Sequence, residues 1–200
     1  MNSTLLIRRD FVKVLAVAPL LYGAPSSAGA PKGWEEFWRQ PRSLWLRRAG
    51  SSDELRAVYY MNGSLVSAGY EEICRFLRDV HTGEAVYMDP RLLDLLFVVH
   101  GYQISTASLA PIRVTNAYES KSTNRRLVAS HGASKTSRHM SGQAVDIANP
   151  EVAGDALYRY MLWVGGGGVG HYPDTGHLHI DTGPRRTWVA RRVRTCAATR

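Results

Sequence analysis

Two hundred residues with a hydrophobic fraction of 44% suffice for one domain with a real core, and they exclude wholesale disorder. The two cysteines, Cys74 and Cys196, form no CxxC pair, which excludes a cysteine-rich metal site. The formal net charge of +8 calls for either an anionic partner or a solvated basic surface.

The first thirty residues read as a leader outside the fold. Arg8-Arg9-Asp10-Phe11-Val12-Lys13 is a twin-arginine pattern, and an apolar run from Val14 to Tyr22 follows it. Ala28-Gly29-Ala30 is a small-x-small cleavage signal, so Pro31 is expected to begin the mature chain. The apolar run is short of the roughly 20 residues that a membrane span needs. The expectation is export to the periplasm or cell envelope, with no stable membrane span after cleavage. Arg8, Arg9 and Lys13 against Asp10 carry a net two of the eight positive charges, leaving six on residues 31–200. Outside the cytoplasm such a domain points to an anionic envelope polymer or membrane surface and not to nucleic acid. A basic tail at Arg185, Arg186, Arg191, Arg192, Arg194 and Arg200 explains the excess equally well as plain solubility. An oxidising compartment also permits a disulfide between Cys74 and Cys196, although two separate thiols fit as well.

Trp34 to Trp38 places aromatics at helical spacing and reads as a docking segment. Leu44–Arg48 and Leu55–Met61 read as two strands joined by a turn at Gly50–Asp53, with a second tight turn at Asn62-Gly63. Tyr70 to Val80 is expected to be a helix with Ile73, Phe76, Leu77 and Val80 inward, ended by His81-Thr82-Gly83. Asp89-Pro90 opens a broad-faced, buried helix through Leu92, Leu93, Leu95, Leu96, Val98 and Val99, which Gly101 is expected to close. Pro111–Thr115 reads as a strand leading into Asn116–Ser120, Asn124–His131 as a short helix, and Gly132–Arg138 as a polar loop. Asn149-Pro150 breaks a strand, and Val152–Val164 is expected to be a helix. Gly165–Gly168 lacks the Lys-Ser/Thr ending of a phosphate loop and reads as a flexible crossing into a final strand. No internal repeat or second domain boundary is visible.

Two segments carry the chemistry. Ala144-Val145-Asp146-Ile147 reads as a short strand with Asp146 on one face and Val145 and Ile147 on the other, preceded by His139 and a permissive Gly142. His177, His179 and Asp181 alternate with Leu178 and Ile180, which puts both histidines on one face of a strand. His139, Asp146 and His179 supply two imidazoles and a carboxylate. That set suits one catalytic zinc ion, which takes three protein ligands and keeps a position for water. One histidine of the 177/179 pair can bind metal while the other stands within reach of that water. Ser137 is a candidate support for a ligand, and Asp181 either orients an imidazole or sits outside the site.

Ser-x-His-x-x-Gly-x-Ala-x-Asp-Ile over 137–147, followed by His-x-His over 177–179, resembles the D-alanyl-D-alanine zinc peptidases, whose fold is shared with the hedgehog signalling domain. Asp89–Leu96, the Asn124 segment, Gly167–Pro173 and His179–Pro184 with Trp188 resemble the bacterial branch that includes murein endopeptidase K. The resemblance covers about 44–188. It implies a single α+β domain, an antiparallel sheet with helices packed on it. It also implies His139, Asp146 and His179 as zinc ligands and His177 as general base. Tyr118 and His171 are rim candidates for substrate contact. Where the family carries a Gly-Tyr-Arg-Ser-like turn with its arginine facing the reacting carbonyl, this chain reads Ala117-Tyr118-Glu119-Ser120. Arg113, Arg125, Arg126 and Arg138 are the substitutes at hand. The implied function is zinc-dependent hydrolysis of cross-links or stem peptides in peptidoglycan, tilted towards endopeptidase action. The alternative is a zinc-containing envelope domain that binds peptidoglycan without cutting it.

Overall fold

The computed structural model describes residues 34–131, 134–148 and 154–190. The leader at residues 1–30, Asn149-Pro150 and Cys196 lie outside the described residues, and so does any pairing of Cys196 with Cys74.

Helix α1 (Trp34–Arg39) docks through Phe37, which is buried with its ring stacked on Phe97 at 4.6 Å. Strands β1 (Arg42–Arg48) and β2 (Glu54–Met61) pair antiparallel, and Asn62 and Gly63, both at positive φ, turn the chain into β3 (Ser64–Leu65). Helix α2 (Ser67–Phe76) ends earlier than its periodicity suggests, and Val80 is 57% exposed instead of inward. The chain leaves the helix to bury Asp79, whose carboxylate accepts the N–H groups of His81, Thr82 and Ser120. That anchor ties the 79–83 turn to the segment after β4 (Ile112–Asn116).

Helix α3 (Pro90–Ser105) starts as its sequence dictates: Asp89 caps it by accepting the Arg91 N–H, and Pro90 occupies the first turn. It does not close at Gly101. Burial of His100, Gly101 and Gln103 carries it on to Ser105, because packing outweighs the low helix propensity of a single glycine. Then come α4 (Lys121–His131), a single 3-10 turn at Arg138–Ser141, and β5 (Ala144–Ile147). Helix α5 (Gly154–Val164) and strands β6 (Gly168–Tyr172), β7 (His177–Asp181) and β8 (Arg186–Val189) complete the described chain.

Eight strands among the described residues form one sheet in the order β3-β2-β1-β4-β5-β7-β6-β8. The expected antiparallel pairing holds along most of it, but β1·β4 and β6·β8 are parallel, so the sheet is mixed. The connection from β1 to β4 includes α2 and α3, long enough for the crossover that a parallel pair requires. Val145, Ile147, Leu178, Ile180 and Val169 join the leucines of α3 and Leu157, Met161 and Val164 of α5 in a single core cluster. Both helices therefore cover one face, and the opposite face of β5 and β7 carries Asp146, His177, His179 and Asp181. Among the described residues no helix is long and apolar enough to cross a membrane.

Candidate metal centre

Antiparallel registration places Asp146 of β5 directly opposite His179 of β7. The third residue arrives on the 3-10 turn. The Ser137 hydroxyl accepts the His139 N–H at the start of that turn, and Gly142 closes it at φ 66, in the left-handed region that favours glycine. The Gly142 carbonyl then accepts the Asp89 N–H, and the Asp89 carboxylate accepts the Thr182 hydroxyl at 2.8 Å. One aspartate thus joins the helix α3 start, the turn bearing His139 and the end of β7.

The three side chains converge. His139 Nε2 lies 3.2 Å from His179 Nδ1 and 3.5 Å from Asp146 Oδ1, and His179 Nδ1 lies 2.8 Å from the same carboxylate oxygen. Their outer partners fix the tautomers. His139 Nδ1 faces the Ala117 carbonyl at 2.6 Å, an acceptor only, so it carries the ring proton. His179 Nε2 faces Asp181 Oδ2 at 3.1 Å and carries its proton for the same reason. Two imidazole lone pairs and a carboxylate oxygen are therefore aimed at one point, an arrangement that is repulsive unless a positive charge sits there. The three donor atoms all lie within 4.8 Å of one another and can hold a metal ion. The electrostatics agree. Burial pulls His179 down, but hydrogen bonds to Asp146 and Asp181 and their charges outweigh it and lift the imidazole to about 9. Burial pushes Asp146 up, and the charges and hydrogen bonds of His139 and His179 hold it far below the usual carboxylate range.

Asp181 is fully buried and belongs to this site. Besides His179 it accepts from Gly168 N, Gly183 N and the Arg186 guanidinium, the last at 2.7 Å. Strand β6 makes room for it. A Cβ on Gly168 would stand 2.4 Å from the Asp181 carboxylate, and one on Gly170 would stand 2.3 Å from the Trp188 ring. Trp188 lies across Gly170 with its ring 5.2 Å from that of His179. Gly168 and Gly170 thus belong to a strand kept bare to accommodate the polar face, which begins at the last residue of the crossing expected over Gly165–Gly168.

His177 shares the face two residues away and is half-buried, stacked on Tyr172 at 4.2 Å. Burial lowers its pKa. Its Nδ1 is 2.7 Å from the Thr175 hydroxyl, whose own proton goes to the Tyr172 carbonyl. Thr175 therefore accepts from Nδ1–H, and Nε2 presents a lone pair.

The other candidates scatter. Ser137 supports His139 through its backbone rather than its ring. Glu119 is buried, donates its N–H to the His139 carbonyl, and accepts from Asn116 at 2.6 Å and Asn124 at 3.1 Å. Tyr118 is half-buried with its N–H on the Leu77 carbonyl; burial and the charges of Glu84 and Asp79 raise its phenol. His171 is not on this face. It pairs with Leu178, points towards α5, stacks on Tyr158 at 5.1 Å and approaches Asp155. Cys74 is buried on α2, its sulfur accepting the Met88 N–H. Sequence reasoning missed Thr175, Tyr172 and Arg186 and gave Trp188 no role. The alternation Gly168-x-Gly170-x-Tyr172 was the available signal, whereas the Ala117 carbonyl has none.

A family model described as peptidoglycan L,D-endopeptidase MepK matches residues 37–188. The chain is 31% identical over 150 residues to the peptidoglycan L,D-endopeptidase MepK of Escherichia coli K12, covering 74% of this chain and 81% of that one. It is 32% identical over 156 residues to the probable peptidoglycan L,D-endopeptidase MepK of Haemophilus influenzae, covering 74% and 80%. The chain belongs to the MepK family of peptidoglycan L,D-endopeptidases.

Proposed function

We propose that this chain is an exported, zinc-dependent peptidase that hydrolyses an L,D-linked peptide bond in peptidoglycan cross-links or stem peptides. One observation carries the reading: two imidazole lone pairs and a carboxylate oxygen face one another with their outer atoms already engaged. His139 Nε2, Asp146 Oδ1 and His179 Nδ1 would hold the ion. Bound there, zinc supplies Lewis-acid polarisation of a carbonyl and a lowered pKa for water.

The protein supplies the rest. His177, neutral at pH 7 because burial disfavours its charged form, takes a proton from the attacking water at Nε2. Water oxygen bonds to the carbonyl carbon, the C–N bond breaks, and the same proton leaves on the amine. Thr175 keeps Nε2 in the accepting tautomer. Asp181 keeps His179 turned with Nδ1 inward, and Trp188 covers the outer side of that ring. The twin-arginine leader at residues 1–30 would deliver the domain to the periplasm or envelope, where the substrate is. Metal analysis of the purified protein, with digestion of peptidoglycan sacculi and mass spectrometry of the released muropeptides, tests the reading. Zinc at one per chain and chelator-sensitive release are expected; release unaffected by metal removal would overturn it.

A second reading rests on Glu119. A buried carboxylate beside the turn that carries His139 opposes negative charge developing at a carbonyl, which suits a domain that binds peptidoglycan without cutting it. Tight binding to sacculi with no release, and activity appearing in Glu119→Arg, would establish that reading instead.

A further inference from the structure

Hydrolysis puts negative charge on the scissile carbonyl oxygen, and the polar face has few donors to meet it. Arg186 is engaged with Asp181 at 2.7 Å, Arg138 reaches Gln143 at 2.8 Å, and the Asn116 and Asn124 amides donate to Glu119. Tyr172 stands among the right neighbours. It lies directly opposite His177 in the β6·β7 register, on the same face as His179, with the two rings nearly parallel at an interplanar angle of 14°. Its hydroxyl is 3.0 Å from Trp188 Nε1. An indole N–H can only donate, so the phenol oxygen accepts, and its own proton must go elsewhere. Among the described residues no acceptor takes that proton. Accepting a hydrogen bond also makes an O–H a better donor. The ring has little freedom: His177 stacks on its face, and Trp188 meets it edge-on while packing against His179. The ring is thereby held against the proposed base, and its hydroxyl against the indole that packs on a proposed ligand.

We infer that the Tyr172 hydroxyl is a catalytic residue that donates a hydrogen bond to the carbonyl oxygen of the scissile bond as charge builds on it. This rests on the peptidase reading above. No proton is transferred: the bond strengthens as the carbonyl oxygen becomes an oxyanion and weakens when the carbonyl re-forms.

The test compares wild type with Tyr172→Phe, which keeps the stacked ring and removes only the donor. Turnover of purified muropeptides is expected to fall about 10²–10³-fold with KM within about twofold, the scale of losing one oxyanion donor. Zinc content should be unchanged. A phosphinate peptide that mimics the tetrahedral state should bind about 10²-fold more weakly, while the product peptide binds equally. A merely structural tyrosine would shift both ligands together or neither. Tyr172→Gln, which restores a donor, should recover part of the turnover, and it decides the matter if the Phe variant folds poorly. Equal turnover by wild type and Tyr172→Phe overturns this assignment alone. No zinc-dependent release by the wild-type protein overturns the peptidase reading and this inference with it.

Discussion

The two ends of the sheet use the same alternation for different purposes. In β1 and β2, Leu44, Leu46, Ala57 and Tyr59 are buried, while Trp45, Arg47, Glu54 and Arg56 face the other way. In β5 and β7, Val145, Ile147, Leu178 and Ile180 are buried, while Asp146, His177, His179 and Asp181 face the other way. A hydropathy profile cannot separate the two ends. The difference lies in side-chain length and in what stands alongside. Long side chains in the first region reach solvent: Arg56 lies over Trp45 at 3.6 Å, and Arg47 approaches Glu54 at 3.7 Å with both about half exposed or less. Short side chains in the second stay close to the backbone, beside a strand of glycines and beneath Trp188, and their charges are felt at low solvent screening. One polar face dissipates charge, and the other concentrates it.

The largest expected effect comes from removing a donor at the concentrated end. Asp146→Asn, His139→Ala or His179→Ala should each lose the metal and all measurable release of muropeptides, read by metal analysis and sacculus digestion. His177→Ala comes next: metal retained, turnover lower by about 10²–10⁴-fold. The pH profile sharpens that claim. A base must be unprotonated to act, so activity is present above the His177 pKa and lost as pH falls through it. Burial sets that value below the ordinary 6.5, so the acid limb should lie below pH 6.5 and be absent from the residual activity of His177→Ala.

The comparison also explains what could be read in the sequence. Alternation over 144–147 and 177–181 was visible because each site residue is flanked by residues that enter the core. Asp89-Pro90 announced α3 because a cap and a fixed φ are local devices. The end of α2 was not local. Asp79 leaves the helix to bind the Ser120 N–H, 41 positions on in sequence, as well as its own turn, and no helical period encodes that. Strand β6 was missed for a related reason. Its glycines are poor strand formers, retained because Asp181 and Trp188 occupy the space a Cβ would take. His171 was misplaced on the rim because a lone imidazole next to a motif does not reveal its face until the register with Leu178 is known.

A smaller effect is expected one shell out. Asp181→Asn keeps the size of the side chain but can present an amide N–H to His179 Nε2, which favours the wrong tautomer. Metal affinity should weaken about 10–100-fold, as for other orienting carboxylates. Competition with a chromogenic chelator measures this directly, without any assay of activity. Affinity equal to wild type would mean that Arg186 and the glycine N–H groups hold the ring without the carboxylate's charge.

The smallest effect belongs to the dispersed end. Arg56 is exposed over Trp45, and such cation–π contacts contribute about 0.5–1 kcal/mol. Arg56→Ala should therefore lower Tm by roughly 1–4 °C for a domain of this size. Metal content, turnover and the acid limb should all match wild type, because no buried donor depends on that guanidinium. High salt should weaken Arg47–Glu54 further while leaving the metal site intact, since that pair is far more exposed than His139, Asp146 and His179. If Arg56→Ala instead lowered metal affinity, the two ends would be mechanically coupled through β4. The division of one alternating sheet into a solvated face and a reactive one would then fail.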